Sequence, residues 1–582
     1  MRLPAAEQLP PAWPSSYFPA ALSAGRSRLL AYVLNRVGAD GAVRDDCRSR
    51  VLESALALAL VKRCGSDHVD ARDRMVRYLE RHRNGGSLMD AAVAAAALGR
   101  GTGHPSLHQA LEGVVNRVPD FTGSRKRALV HAIFTMLGVA DACDDGNSRG
   151  FDVSALHPWA AVQGVAVEAI LSAGRAPVCR DDVTLLVSTQ RLGRVWEGNL
   201  FIHLSVLHAL VDVPGMEGVV DAGLRTAFKH QREDGGLPFV TDTDTWCTVV
   251  AGLALCSAGA PREVLHRVAG HLVRVQHAKG GWSYTDHAQL SDTDCTTVAV
   301  EFLHQLDADA YRDPIRRAVD ALIAVRGADG GFPTYGSGTP SEACMTAAAI
   351  NALSTQGRHH DVIQAALRFL AGRQMPDGSF PPGWSSSRLH TLFRAYLATR
   401  PHRRQSPLAV PDLSSRITGL VQDVQNPDGG FGQQNDTSSD AISTAYALII
   451  LAGQPDPAPA ARATRYLLAQ QRSDGCIVSV PDMLGPRPFT YHVPLLTDAF
   501  TLLALGHLTR RIQPSGVVMP GRRRRRTDPS TTAGNPLATP CCAPSTRTET
   551  TSSSPASPPS ADVPAHRPAL VSQSNPAQRR AP

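Results

Sequence analysis

Apolar residues recur every three or four positions through most of the chain, which is the spacing of one buried helix face. Clear examples lie at residues 49–61, 346–353, 444–451 and 497–508, and clusters of glycine and proline separate such segments. No run alternates between apolar and polar residues as a half-buried strand would. The pattern therefore predicts an all-α fold without a β-sheet between about residues 26 and 511.

One short motif returns six times in the second half of the chain. It consists of a helix end, usually a glutamine, followed by Asp-Gly and then by an aromatic or apolar residue. The aspartate position of the motif falls at Asp234, Lys279, Asp329, Asp377, Asp428 and Asp474, so the intervals are 45, 50, 48, 51 and 46 residues. This spacing suits two helices and two loops in each copy.

The motif has a direct physical meaning. Asp-Gly favours a tight turn because glycine adopts a positive φ without strain. A helical hairpin cannot bury its inner face alone, so neighbouring copies must stack. Six copies can close into a double ring of inner and outer helices around a cavity. The sequence thus predicts a six-repeat α/α-toroid over residues 216–512.

The remaining segments divide around this ring. Residues 26–215 contain fainter copies, such as VGADG at 37–41, and are predicted to form a diverged α-barrel domain. Residues 1–25 are rich in proline, lack the apolar core of a signal peptide and are expected to be disordered. Residues 513–582 are rich in proline, serine, threonine and arginine, and are also expected to be disordered.

Charge and cysteine content limit the class of protein. The formal net charge is +7, but the tail alone carries nine arginines and three acids, a balance of +6, so the rest of the chain is nearly neutral. This distribution predicts no specific nucleic-acid partner. No apolar run reaches the roughly 18 residues of a membrane span. The 11 cysteines are scattered without a Cys-x-x-Cys pair, which predicts a cytoplasmic location.

The most informative stretch is LSDTDCTTVA at residues 290–299, where Asp292 and Asp294 precede an apolar helical run. A helix N-terminus favours an ionised carboxylate, whereas a second carboxylate opposes double ionisation and keeps one proton on the pair. The stretch therefore predicts either a strong, protonated acid or an ordinary helix cap. The sequence DTDTWCT at 242–248, with Asp244, is a second, weaker candidate for an acid site.

The repeats resemble those of terpene cyclases related to squalene-hopene cyclase. The acidic stretch resembles the motif of class II diterpene and sesquiterpene cyclases, with Asp292, Asp294 and Thr296 as its catalytic positions. The resemblance implies two α-barrel domains, called β and γ, with the active site between them. It also implies that Asp294 protonates the terminal alkene of a linear C15 or C20 prenyl diphosphate. The diphosphate is retained, and Mg²⁺ assists its binding.

Such chemistry requires a dry pocket with aromatic faces that stabilise carbocations. The predicted walls of this pocket are Trp246, Trp282, Tyr335, Trp384 and Tyr491. Arg48 and Arg50 stand where the family has a Mg²⁺-linked acidic pair, and are predicted to bind the diphosphate directly. The candidates for the base that quenches the cation are His390, His492, Glu301, Glu342 and water. A homodimer is possible.

Three alternatives share the toroid. A protein prenyltransferase β subunit needs a zinc site with a cysteine two residues after an aspartate, whereas Cys295 follows Asp294 by one residue and Asp292 by three. A squalene-type cyclase would act on a substrate without a diphosphate. An inactive toroid would bind a partner through its concave face.

Overall fold

Twenty α-helices make up most of the part of the chain that the structure describes. The structure is a computed structural model. It describes residues 12–65, 67–84, 87–100, 123–139, 153, 156–191, 193–336, 338–402, 410–487 and 489–513. The predicted disordered tail lies outside these residues, apart from Gln513.

Eight of the described helices form the first domain. They are Val51–Cys64 (α2), Val69–His82 (α3), Leu88–Ala97 (α4), Gly123–Met136 (α5), Pro158–Ser172 (α6), Arg180–Ser188 (α7), Leu200–Leu210 (α8) and Glu217–Phe228 (α9). Helix α8 packs against α2, α6 and α9. All of its residues are buried, so it lies in the core of this domain.

The other twelve described helices form a closed double ring. The inner helices are Asp244–Ser257 (α10), Thr293–Asp307 (α12), Ala343–Ser354 (α14), Arg388–Thr399 (α16), Ala441–Leu451 (α18) and Pro494–Ile512 (α20). The outer helices are Leu22–Leu34 (α1), Arg262–Val275 (α11), Arg312–Ala324 (α13), His360–Arg373 (α15), Val410–Asp423 (α17) and Ala458–Ala469 (α19). Each inner helix contacts the next, and α20 returns to α10. The predicted all-α toroid is confirmed.

The two layers of the ring differ in their burial as their sequences predict. Inner helix α18 is apolar on every side and buries all eleven of its residues. Outer helix α13 buries only one stripe, formed by Ile315, Ala318, Val319 and Leu322, and leaves its charged face exposed. A stripe with this spacing covers one face of a helix, so the outer layer shields the inner one from water.

The shared geometry of the repeat turns comes from contacts of their glutamine and glycine. In the second copy, Gln276 Nε2 donates to the carbonyl of Gly280 in its own turn (2.6 Å) and to that of Pro314 on the next outer helix (2.9 Å). Gly280 has φ 101° and touches the backbone of Arg317, where a Cβ atom would lie 2.2 Å from the carbonyl oxygen. Only glycine combines this φ with so close an approach.

Each turn also fixes the start of an inner helix. The amide of Trp282 donates to Thr296 Oγ1 on α12 (3.1 Å), and the equivalent residue of another copy, Phe431, donates to Thr444 Oγ1 on α18 (2.9 Å). A helix that begins beside a turn is therefore held by a hydroxyl one turn inside it. This contact makes it possible to assign a turn to its helix.

That assignment corrects the predicted order of the repeats. The turn in front of α10 is the one at Asp40, because the amide of Val43 donates to Thr248 Oγ1 (2.9 Å). The turn at Asp234, predicted to open the ring, instead serves the first domain, since the amide of Leu237 donates to a hydroxyl of α2 (2.8 Å). The first domain is thus inserted between a ring turn and the helix that the turn caps.

The predicted boundaries at residues 26–215 and 216–512 change accordingly. Helix α1 packs on α19, α20 and α10 and completes the outer ring, whereas α9 packs on α8 and α2 of the first domain. The prediction that residues 1–25 are disordered is wrong from Ala12 onward. The Trp13 indole is buried, and its Nε1 donates to the carbonyl of Pro455 (3.0 Å).

Short extended pairs correct the prediction of a fold without strands. Ser49–Arg50 (β1) pairs antiparallel with Leu237–Pro238 (β2), and Met483–Leu484 (β3) pairs with Thr490–Tyr491 (β4). Two residues per strand are too few to show an alternating pattern. Among the described residues, no helix is both long and apolar enough to cross a membrane.

We expect Gly41→Ala to destabilise the protein more than Gly65→Ala does. Both glycines have a positive φ, but a Cβ atom on Gly41 would lie 2.1 Å from the carbonyl oxygen of Arg267, whereas nothing lies within 4 Å of one on Gly65. In each variant the positive φ lowers the free energy of unfolding by about 1–2 kcal/mol. The steric overlap at Gly41 lowers it by about 1–3 kcal/mol more. Urea denaturation followed by circular dichroism measures the difference. Equal losses would contradict the assignment of the turn at Asp40 to the ring.

Candidate functional site

The acidic stretch forms the start of α12, and Asp292 is its N-cap. Its Oδ1 accepts a hydrogen bond from the amide of Cys295 (2.6 Å). The next residue, Thr293, ties the helix start to the following loop, because its amide donates to the carbonyl of Thr334 (2.8 Å) and its hydroxyl donates to that of Pro333 (2.7 Å). The carboxyl group is therefore held in one orientation.

Asp294, in the first turn of the same helix, has a buried cationic partner that the sequence did not reveal. Arg394 Nη2 lies 2.6 Å from Asp294 Oδ1, and the two side chains are only 3% and 14% exposed. Burial alone would lower the pKa of Arg394, but the charge and hydrogen bond of Asp294, together with the nearby Cys344 and Glu301, raise that pKa above its usual range. Arg394 thus stays charged and favours a negative charge on Asp294.

The two carboxyl groups interact electrically. Burial, followed by the charge of Asp294, raises the pKa of Asp292 to about 7. Two coupled carboxyl groups lose their protons in steps that belong to the pair. Near neutral pH Asp292 therefore still holds its proton in a substantial fraction of the molecules.

Both aspartates line a cavity of about 420 Å³ between the inner end of the ring and the first domain. Eight aromatic side chains among the described residues line it. The ring contributes Trp246, Tyr284, Tyr335, Trp384 and Tyr491, and the first domain and its connection contribute Trp159, Phe201 and Phe239. The aromatic side chains pack on one another, with 5.1 Å between the ring centroids of Trp159 and Tyr335 and 6.0 Å between those of Tyr335 and Trp384.

Two predicted site residues do not reach this cavity. Trp282 is fully buried, and its Nε1 donates to the carbonyl of Leu272 (2.8 Å), so it packs within its own repeat. The Thr296 hydroxyl donates to the carbonyl of Asp292 (2.6 Å) and accepts from the amide of Trp282. Since Thr444 makes the same contacts in another copy, this threonine belongs to the repeat architecture.

The two predicted diphosphate-binding arginines also lie off the cavity. Arg48 is exposed to solvent. Arg50 is buried and makes a two-pronged ion pair with Glu53, with 2.6 Å between Nε and Oε2, and it also donates to the carbonyl of Gly485 (2.5 Å). Its guanidinium is thus already occupied by groups of the protein itself.

Three other cations line the cavity instead, namely Arg125, Lys126 and Arg487. Burial, followed by the charges of Arg487 and Arg125, lowers the pKa of Lys126 to about 7. Glu342 offsets part of this charge, because its Oε2 lies 2.7 Å from Arg487 Nη1. Basic side chains that lie close together in a cavity wall favour the binding of an anion beside them.

The residues around these cations do not form a metal site of their own. In the part of the chain that the structure describes, no group of three histidine, cysteine, aspartate or glutamate side chains is placed to hold a metal ion. Mg²⁺ takes oxygen ligands in an octahedral arrangement. Glu342 is the carboxylate beside the cations, and its two oxygens already meet Arg487 and the hydroxyl of Thr334 (2.5 Å).

The four candidate bases are spread over different environments. Glu342 lines the cavity. Glu301, two turns beyond Asp294 on α12, faces a separate cavity of about 230 Å³ inside the ring. His390 is buried against Phe393 and Tyr446, and neither it nor His492 lines the cavity of the aspartates.

The weaker acid candidate, Asp244, lies outside this cavity. It begins α10, and Arg44 Nε lies 2.8 Å from its carboxylate. Burial, followed by the charge of Asp242, raises the pKa of Asp244 to about 6. Asp244 therefore forms a partly exposed ion pair at the start of a helix and does not face the aromatic walls of the cavity.

Comparison with known proteins agrees with this geometry. The model of the prenyltransferase alpha-alpha toroid domain matches residues 204–385 and 404–486. A drimenyl diphosphate synthase of Streptantibioticus cattleyicolor is 38% identical over 510 residues, which cover 83% of this chain and 94% of that protein. A second, from Streptomyces showdoensis, is 34% identical and covers 84% of this chain and 95% of its own.

Among solved structures, an ent-copalyl diphosphate synthase from Streptomyces platensis superposes with a TM-score of 0.55. It is 16% identical and covers 84% of this chain and all of its own length. At this level of identity the likeness supports the fold alone.

We expect Arg50→Met to lower stability by about 3–5 kcal/mol, because it leaves the charge of Glu53 buried without a partner. Thermal and urea unfolding measure the loss. The double variant Arg50→Met/Glu53→Leu should recover a large part of it, and Arg48→Ala should change little. A normal stability of Arg50→Met together with weaker binding of a prenyl diphosphate would instead support the role in diphosphate binding predicted from the sequence.

Proposed function

Since the chain belongs to the class II terpene cyclases, we propose that it cyclises farnesyl diphosphate, a 15-carbon prenyl diphosphate, and leaves the diphosphate on the product. The observation that carries this proposal is the coupled pair Asp292 and Asp294 in the wall of an aromatic cavity that also holds cations. The substrate length follows the two drimenyl diphosphate synthases, with which the chain aligns over most of its length.

In the proposed reaction the terminal alkene of the substrate takes the proton of Asp294. The alkene π electrons form the new C–H bond, and the O–H electrons stay on the carboxylate. Arg394, at 2.6 Å, stabilises the anion that is left behind. Asp292, whose raised pKa keeps a proton on the pair, resupplies Asp294 for the next turnover.

The carbocation that results moves through ring closures in which the remaining alkenes attack in turn. The aromatic faces of Trp246, Tyr335 and Trp384 stabilise it and keep water away. The diphosphate takes no part in the bond changes. Arg125, Lys126 and Arg487 hold it, and they replace the arginines predicted from the sequence.

The need for Mg²⁺ stays a prediction. The described cavity residues supply positive charge directly and no protein-held metal site, so we assign no step to a metal ion. A homodimer and a cytoplasmic location also stay predictions.

Incubation of the full chain with farnesyl diphosphate, geranylgeranyl diphosphate and squalene tests the function. Each reaction runs with Mg²⁺ and with a chelator, and mass spectrometry follows phosphatase treatment. We expect farnesyl diphosphate to be consumed fastest and to yield a cyclic product that releases an alcohol only after the phosphatase. Turnover of squalene alone would favour the squalene-type alternative, and no turnover of any of the three would favour the inactive toroid.

We expect Asp294→Asn to lower kcat by at least about a hundredfold while substrate still binds, because asparagine keeps the shape but has no proton to deliver. Asp292→Asn should be less severe, since asparagine still caps the helix. Asp244→Asn is the matched control and should be close to normal. Calorimetry for binding and product quantification for kcat separate the two effects, and a nearly normal kcat of Asp294→Asn would overturn the assignment.

The pH profile of the unaltered protein belongs to the same test. The pair must hold a proton, and the pKa of Asp292 is raised to about 7, so kcat should be full below this pH and fall as the pH rises through it. In Asp292→Asn the carboxyl group with the raised pKa is absent. The fall in kcat near this pH should therefore be lost in this variant.

A further inference from the structure

A cyclisation that starts with a proton ends by giving one up, so the cavity needs a base as well as an acid. Of the candidates from the sequence, Glu301, His390 and His492 lie away from the cavity. Glu342 does line it, but both of its oxygens are engaged. Apart from water, none of the candidates from the sequence is therefore a free base at the cavity, and a further one is sought among the cavity walls.

His157 precedes α6 in the first domain and lines the cavity. It is the one histidine among the described cavity residues. Its ring packs on Tyr335, with 4.9 Å between the ring centroids. The centroid of the imidazole lies 6.5 Å from that of the Trp159 ring. The imidazole is thus part of the same aromatic wall that faces the proposed cation.

The surroundings of His157 leave it unprotonated. Its Nδ1 is buried and has no hydrogen-bond partner among the described residues. Burial, followed by the charge of Arg125, lowers the pKa of the imidazole to about 4. At neutral pH the ring is therefore uncharged and keeps a lone pair on one nitrogen.

We propose that His157 is the base that quenches the cyclised cation, an inference that rests on the proposed function. A C–H bond next to the cationic carbon breaks, its electron pair forms the alkene of the product, and the proton passes to an imidazole nitrogen. The imidazolium then releases this proton to solvent when the product leaves. A carbocation is so acidic that even a weak, neutral base suffices, whereas a protonated imidazolium would repel the cation and has no lone pair to accept its proton.

The neighbouring cation makes this step depend on the substrate. In the free protein, Arg125 lies close enough to oppose a positive charge on His157. A diphosphate held by Arg125 would neutralise that charge and bring its own negative charge near the ring. His157 thus becomes a better base only when a substrate with a diphosphate is bound.

The test compares His157→Phe with His492→Phe in the full chain. Phenylalanine keeps the packing on Tyr335 but removes both nitrogens. His492 is a matched control, because its pKa is also lowered by burial but it lies off the cavity. Product spectra and the consumption of farnesyl diphosphate are measured for both variants and for the unaltered chain.

We expect His157→Phe still to consume substrate. The normal alkene should fall about tenfold or more as a fraction of all products. Alkene isomers, or an alcohol from capture of the cation by water, should replace it. His492→Phe should give the normal product. The proposal is overturned if His157→Phe gives the normal product spectrum, or if it is folded and binds substrate but consumes none.

Two further observations make the outcome decisive. If His157→Phe does not fold, His157→Asn takes its place, with the same expected shift in products and the same contrary results. Failure of the proposed function has a different signature, since the unaltered chain would then consume no prenyl diphosphate at all.

Discussion

The contact between a repeat turn and the hydroxyl of an inner helix determines the rest of the molecule. It sets the residue at which each inner helix begins, as Trp282 does for α12 through Thr296. The turn glycine lies on the backbone of the next outer helix, so the same turn also fixes the spacing between the two layers. The first contact needs one hydroxyl and the second needs one glycine, so the other residues of a turn can vary widely. The acid stretch could therefore change its chemistry without any loss of the ring.

Asp292 can cap a helix and still act on the proposed acid Asp294. The side chain caps α12 through the amide of Cys295, and the same hydrogen bond orients its carboxyl group. Asp440 makes the same cap on α18 with the amide of Ser443 (2.8 Å), and burial also raises its pKa. Two residues after Asp440, however, the chain has Ile442, whereas Asp294 stands two residues after Asp292. The start of α18 therefore supplies no second carboxylate. The chemistry thus arises where a general cap acquires a charged neighbour and an aromatic cavity.

The sequence predicted the toroid and the acid pair, and four of its five predicted aromatic residues do line the cavity. It did not predict that the first domain is inserted between a ring turn and the helix of that turn. Periodicity marks a turn but not the helix that the turn serves, and Asp40 lies about 200 residues from Thr248. The cations were missed for the same reason, since Arg125 and Arg487 meet only in the folded chain. Arg394 did leave a signal, because it is a lone charge in the otherwise apolar middle of α16. A buried charge in such a helix predicts a partner, and here the partner is Asp294.

The residue after Asp294 shows which features of the acid are essential. Cys295 serves Asp292 through its backbone amide, and its thiol also hydrogen-bonds the Asp292 carboxyl group. Burial, followed by the nearby aspartates, raises the pKa of its thiol well above the usual value, and the side chain therefore adds no charge. A carboxylate at this position would compete with Asp294 for Arg394 and weaken the stabilisation of the anion. A neutral residue leaves Arg394 to Asp294, so the buried ion pair is the feature of this stretch that a third acid would disturb.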